Sequence, residues 1–226
     1  MKSELSLPLP RTAAIFVDLQ EEHRRDPGFL AEGFDRVVAN CVSLQAAARG
    51  NGVPVFHYAF VVDTDAADNR AFHPVRADGK SAFSDKDDPN SAICPEVAPV
   101  AGERVLVKNR ASSFSDDLGP ELKRQGVEWL MVAGVWTEAC VYETVKDAQA
   151  LGFRVLLVKD ACGSGTRAMH EIAVLNLANR LYGGGVATTG AACRLLAGET
   201  AEVWEVEGAV PMRYTFETAS ALYAEL

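Results

Sequence analysis

Asp18, Lys108 and Cys140 each follow a run of apolar residues, and together they offer a carboxylate, an ammonium and a thiol. A thiol attacks a carbonyl carbon once it has lost its proton. A carboxylate within reach can accept that proton and later return it to a departing amine, while a cation balances the charge of the pair. That is what a cysteine hydrolase without a histidine base needs. Each residue also has a purely structural reading. Cys140 lies in Gly134-Val135-Trp136-Thr137-Glu138-Ala139-Cys140-Val141, where the pattern predicts the first turn of a helix. Unpaired N–H groups and the positive end of the helix dipole lower a thiol pKa there, yet a buried, inert cysteine fits the position equally well. Asp18 suits a turn or a cap, and Lys108, followed by Asn109 and Arg110, suits a solvated strand end.

The elements that must position these groups are legible as alternating patterns. Ala13 to Val17 is a continuous apolar run, as in a strand buried on both faces of a parallel sheet, and it sets Asp18 at its carboxyl end. From Phe34 to Arg49, Val37, Val38, Cys41, Leu44, Ala47 and Ala48 recur at helical spacing; Gly50-Asn51-Gly52 then stops the helix before a strand at Val53 to Tyr58. Residues 62–99, rich in Asp, Asn, Pro and Ser, form an irregular excursion able to shape or cover a pocket. Strand Arg104 to Lys108, helix Asp116 to Gln125, strand Glu128 to Ala133 and helix Glu138 to Leu151 follow. Strand Arg154 to Val158, helix Arg167 to Leu181, strand Val186 to Thr188 and a helix near Gly190 to Leu196 complete the series. The repetition predicts a doubly wound α/β fold, a mostly parallel sheet flanked by helices, in one domain spanning residues 1–226. Ligands bind such sheets at the carboxyl ends of the strands, where all three candidates fall. The tail, 199–226, carries Trp204, Tyr214, Phe216 and Tyr223 and is expected to pack on the body or on a neighbouring subunit.

With 31 acidic residues against 22 basic ones, the net charge of −9 repels phosphate backbones and anionic lipid, so nucleic acid and membrane are not expected partners. The five cysteines are scattered and contain no C-x-x-C pair, which argues against a disulfide framework or a structural zinc site and for a reducing cytoplasm. No segment has the length and apolarity of a membrane span, and the amino-terminal residues lack a signal-peptide pattern.

Asp18-Leu19-Gln20, Lys108 within Val107 to Phe114, and the segment Gly134 to Val141 resemble the three signatures of the isochorismatase-like cysteine hydrolases, in order and in matching strand contexts. The resemblance runs from about Arg11 to Leu196 and implies a Rossmann-like three-layer fold. It also implies a catalytic set of Asp18, Lys108 and Cys140, a cis Val135–Trp136 bond, and an oxyanion hole formed by the N–H groups of Trp136 and Cys140. The implied reaction cleaves a C–N bond of a small amide, ureido or carbamoyl compound through a thioester, without cofactor, in a homodimer or homotetramer. Vinyl-ether hydrolysis of the isochorismate type and a non-catalytic binding or assembly role are the alternatives. Family substrates include carbamoylsarcosine, biuret or triuret, ureidoacrylate, maleamate and nicotinamide; Trp136, larger than the residue often found at its position, narrows the range to flat or slender amides if its ring faces the pocket, while a ring packed into a subunit contact fits equally well.

The nicotinamidase branch holds a metal with an Asp and two His near its second strand; His57, in Phe56-His57-Tyr58, has no such cluster, so no metal is expected. His73 and His170 read as isolated surface or packing residues. Gln20, His23 and Trp136 are the candidate substrate contacts, with His23, beside Arg24 and Arg25, placed to approach a carboxylated or carbonyl-rich substrate. Gly163-Ser164-Gly165 and Gly183-Gly184-Gly185 lack the context of a phosphate cradle and read as turns.

Overall fold

The computed structural model describes residues 1–67 and 71–226. Its strands are β1 (Lys2–Leu5), β2 (Thr12–Val17), β3 (Val55–Phe60), β4 (Arg104–Lys108), β5 (Trp129–Val135), β6 (Arg154–Gly163), β7 (Gly185–Ala187) and β8 (Ala201–Glu205). The helices are α1 (Glu22–Arg25), α2 (Phe34–Gly50), α3 (Leu118–Arg124), α4 (Tyr142–Ala150), α5 (Arg167–Ala178), α6 (Thr189–Leu196) and α7 (Ala219–Glu225).

Among the described residues the strands form one sheet in the order β1-β8-β7-β6-β5-β2-β3-β4. The six from β7 to β4 are parallel, and β8 joins β7 and β1 antiparallel at one side. Side chains alternate between two cores, because successive residues of a strand point to opposite faces. Ala14 and Phe16 of β2 pack with Val37, Cys41 and Leu44 of α2 and with Leu195 of α6. Ala13, Ile15 and Val17 face the other core with Leu122 of α3, Val145 of α4 and Leu175 of α5. The result is a three-layer α/β fold with a mostly parallel sheet, as the alternation predicts. Full burial of each such aliphatic or aromatic side chain contributes roughly 1.5–3 kcal/mol.

The chain leaves β2 toward β3 and β4, then returns to β2's other side as β5, so the strand order reverses at the β5–β2 crevice. Crevices of this kind bind ligands at the carboxyl ends of the strands. Register brings those ends together: Val17 lies opposite both Tyr58 and Gly134, and Phe60 opposite Lys108.

Several boundaries differ from the sequence expectation. Strand β3 begins after Pro54, which has no N–H to give a ladder, and runs on to Phe60. Strand β6 extends past Val158 to Gly163. The helix expected from Glu138 is two pieces, a π-helical turn over Thr137–Val141 and then α4. Strands β1 and β8 were not anticipated: the tail, 199–226, contributes β8 to the sheet and α7 against α5. Within the excursion 62–99, whose residues 68–70 lie outside those described, Val62 bridges Asp85 and Ile93 bridges Gln20, which sets Phe83 and Ser84 over the strand ends.

Candidate active site

Asp18, Lys108 and Cys140 meet at the carboxyl ends of β2, β4 and β5. Lys108 Nζ lies 2.6 Å from Asp18 Oδ2, with both side chains buried. The ammonium also donates to Arg110 O at 3.2 Å and lies 4.8 Å from the centre of the Phe60 ring. Asp18 Oδ1 is buried without a hydrogen-bond partner among the described residues. Asp18 itself has a left-handed backbone, φ 52°, a conformation Asp tolerates better than most residues. Burial works against the Lys108 ammonium, but Asp18 and then Cys140 outweigh it and raise its pKa. Burial first, then the Asp18 charge, pushes the Cys140 thiol well up, with Lys108 opposing. Of the two readings the sequence leaves open, a thiol lowered by a helix terminus and a buried one, the desolvated position next to a carboxylate matches the second and favours the protonated form. A thiol in such a place becomes nucleophilic only when a base takes its proton, and Asp18 is the carboxylate beside it.

The turn that carries the thiol is fixed from both sides. Gly134 has φ 131°, and a Cβ there would stand 2.1 Å from Val17 O, so only glycine lets β5 approach β2 this closely. The Val135–Trp136 bond is cis, as the resemblance implies. The N–H groups of Ala139 and Val141 both donate to Trp136 O at 3.1 Å. Thr137 Oγ1 donates to Gly163 O at 2.8 Å, leaving it to accept from His170 Nδ1, also at 2.8 Å; His170 Nε2 then accepts from Tyr223 OH at 3.0 Å. This tautomer is assigned from the donors present. Burial holds His170 neutral, with its pKa lowered to about 4. Sequence alone had left His170 as an isolated packing residue.

A cavity of about 230 Å³ opens beside Cys140. Asp18, Glu22, His23, Phe29, Phe83 and Trp136 are among its walls. Trp136 thus faces the cavity; its ring stacks on Phe29, with centroids 4.9 Å apart, and a side chain at Gly165 would collide with it. Trp136 Nε1 donates to His23 Nδ1 at 3.1 Å, which assigns the ring proton of the neutral imidazole to Nε2. Burial lowers the His23 pKa to about 4. Gln20 is a correction. It is fully buried away from the cavity, its Nε2 donates to Phe60 O and Ser91 O, and its Oε1 accepts from Phe60 N, so it fastens the excursion to β3 with no group left for a substrate. Arg24 and Arg25 also turn away, into ion pairs with Glu21.

Glu22, missed from sequence, accepts from Ser84 N at 2.8 Å and from Ser84 Oγ. Burial raises its pKa from 4.5 to about 7 against those bonds. A carboxyl raised on folding holds its proton longer in the native state, so its contribution to stability is complete below about pH 4.5 and falls away as pH rises to about 7. The stability of Glu22→Gln relative to the native protein is therefore expected to improve by on the order of 3 kcal/mol between pH 4.5 and pH 8, read by urea unfolding at both pH values.

His57 Nε2 pairs with Glu103, which Arg49 also holds, at a distance in sequence and fold from the thiol turn. Among the described residues one group has the donors and spacing for a metal, Glu21, Cys94 and Glu96. The Arg24 guanidinium already bridges its two carboxylates, which does not suit a cation. A larger cavity, about 360 Å³, lies between α2, the end of β6 and Tyr223, and does not include Asp18, Lys108 or Cys140. No helix of the described residues is long and apolar enough to cross a membrane.

A three-layer α/β fold with an acid, an amine and a thiol gathered at its switch point defines the class of protein in hand. The isochorismatase domain family matches residues 12–191. A maleamate amidohydrolase of Pseudomonas putida is 32% identical over 184 residues, covering 76% of this chain and 81% of the relative. An N-carbamoylsarcosine amidase of Arthrobacter is 31% identical over 170 residues, covering 68% of this chain and 60% of the relative. The crystal structure of an isochorismatase family protein from Desulfovibrio vulgaris, 28% identical, superposes with a TM-score of 0.70 over 83% of this chain and 98% of that one. The chain belongs to the isochorismatase family.

Proposed function

We propose that the protein is a cysteine hydrolase that cleaves a C–N bond in a small amide, ureido or carbamoyl compound through an acyl-Cys140 thioester. The family, with members named as amidohydrolases, supports the class: a hydrolase acting on C–N bonds other than peptide bonds. One observation supports the mechanism, the buried Lys108–Asp18 pair beside the Cys140 thiol, with the second carboxylate oxygen unpartnered among the described residues.

Asp18 takes the thiol proton, and Cys140 Sγ bonds to the carbonyl carbon. Lys108 remains charged and offsets the developing thiolate. The N–H groups of Trp136 and Cys140 donate to the oxyanion, whose stabilisation is the largest contribution in reactions of this type. Collapse breaks the C–N bond as Asp18 hands its proton to the departing amine. Water, deprotonated by Asp18, then adds to the thioester, and Sγ leaves and regains the proton. Scattered cysteines, all free, fit a reducing cytoplasmic setting.

Hydroxylamine tests the intermediate. Added during turnover of an amide found by an ammonia-release screen, it is expected to divert product to the hydroxamate, while rapid acid quench leaves an acyl mass on the Cys140 peptide. Turnover without that adduct overturns the proposal.

A further inference from the structure

We propose that the substrate is uncharged and flat, and that its polar group remote from the scissile bond offers an N–H to Glu22 and a carbonyl to His23, as the edge of a second amide or ureide does. This rests on the amidase reading above and adds the substrate class.

Size and shape come first. The cavity, at about 230 Å³, is smaller than the roughly 300–1,000 Å³ typical of pockets for drug-sized ligands, so the substrate is small. Trp136, Phe29 and Phe83 form one continuous stack, with neighbouring centroids 4.9 Å apart, and give the cavity a single aromatic wall. A planar, conjugated body makes more contact along such a wall than a branched one.

Charge comes next. Among the described residues, the lining side chains that carry charge are two acids, Asp18 and Glu22. The adjacent cation, Lys108, is spent on Asp18, and Arg24 and Arg25 are spent on Glu21. An anionic group entering this slot meets like charge in a place with little water to screen it.

The remaining polar atoms select the neutral alternative. His23 Nε2 is buried and has no hydrogen-bond partner among the described residues, and the bond from Trp136 to Nδ1 leaves it as a donor. It lies 3.9 Å from Glu22 Oε1, too far for the two to satisfy each other. A group with adjacent N–H and C=O gives His23 Nε2 its acceptor and adds a further donor to Glu22, whose oxygens already accept from Ser84. A carboxylate satisfies His23 alone and is repelled by Glu22. Maleamate, which gives one relative its name, is such an acid amide, so this chain departs from that relative in the charge it accepts.

Maleamide and maleamate differ only in an NH2 against an O−. At pH 8, Cys140→Ala protein titrated calorimetrically is expected to bind maleamide at least about tenfold more tightly than maleamate, and Glu22→Gln in the same background is expected to remove most of that preference. Cys140→Ser serves if the alanine protein does not fold, and the two-ligand comparison stands without the Glu22 variant. Equal or tighter binding of maleamate, or no binding of either at millimolar concentration, overturns the proposal. Binding needs no turnover: protein that prefers maleamide but forms no acyl-Cys140 fails the thioester mechanism, not this assignment.

Discussion

Asp18→Asn is expected to separate two properties of Cys140, making the thiol easier to alkylate while lowering amide hydrolysis by about a thousandfold or more. The wild-type thiol is held up by burial and by the Asp18 charge, and Lys108 opposes both. Asparagine keeps the shape and removes the charge, leaving the Lys108 ammonium to favour a thiolate. Iodoacetamide should then modify Cys140 faster at pH 7. Hydrolysis fails because asparagine neither accepts the thiol proton nor protonates the departing amine. Cys140→Ala is the companion control, with an activity loss at least as large and no alkylation at that site. Slower alkylation in Asp18→Asn would show that Asp18 activates the thiol chiefly by ordering it.

Lys108→Met is expected to lower stability by about 3–5 kcal/mol, a large share of what a domain has, and to abolish activity. The substitution leaves the Asp18 carboxylate 2% exposed with its ion pair gone. The double variant Asp18→Asn, Lys108→Met should recover most of the lost stability, since no uncompensated charge stays buried, while remaining inactive. Urea unfolding of the four proteins reads the coupling directly. Additive losses would mean that the pair contributes little to the fold.

Asp18 and Lys108 were legible because each is a polar residue at the end of a strand, and Cys140 because it lies in the turn that follows one; such ends converge in a parallel sheet. The cis bond came with the turn signature, but the direction of the Trp136 ring did not, because pocket wall and subunit contact are equally compatible with a large aromatic at that position. Gln20 was misjudged because its partners, Phe60 and Ser91, lie 40 and 71 residues away, and nothing local says that its amide is already used. Glu22, Phe29 and Phe83 were missed for the same reason: they become neighbours only when an aperiodic excursion folds over the strand ends. Edge strand β1 and its neighbour β8 are four and five residues long and pair across about 200 positions, a contact that short alternation cannot announce. The thiol's pKa was left open between a helix-terminus effect and burial, because helix position was visible in sequence and burial was not.

The hydrogen-bonded chain from Tyr223 through His170 to Thr137 has an evolutionary consequence. Its far end lies 32 positions beyond the last residue of the shared family segment, which closes at 191. Relatives can therefore keep every group around the thiol and still diverge in how firmly the turn is propped, by changing a helix that does not line the cavity beside Cys140. Grafting residues 12–191 onto another scaffold would transplant the reacting groups without their distal brace.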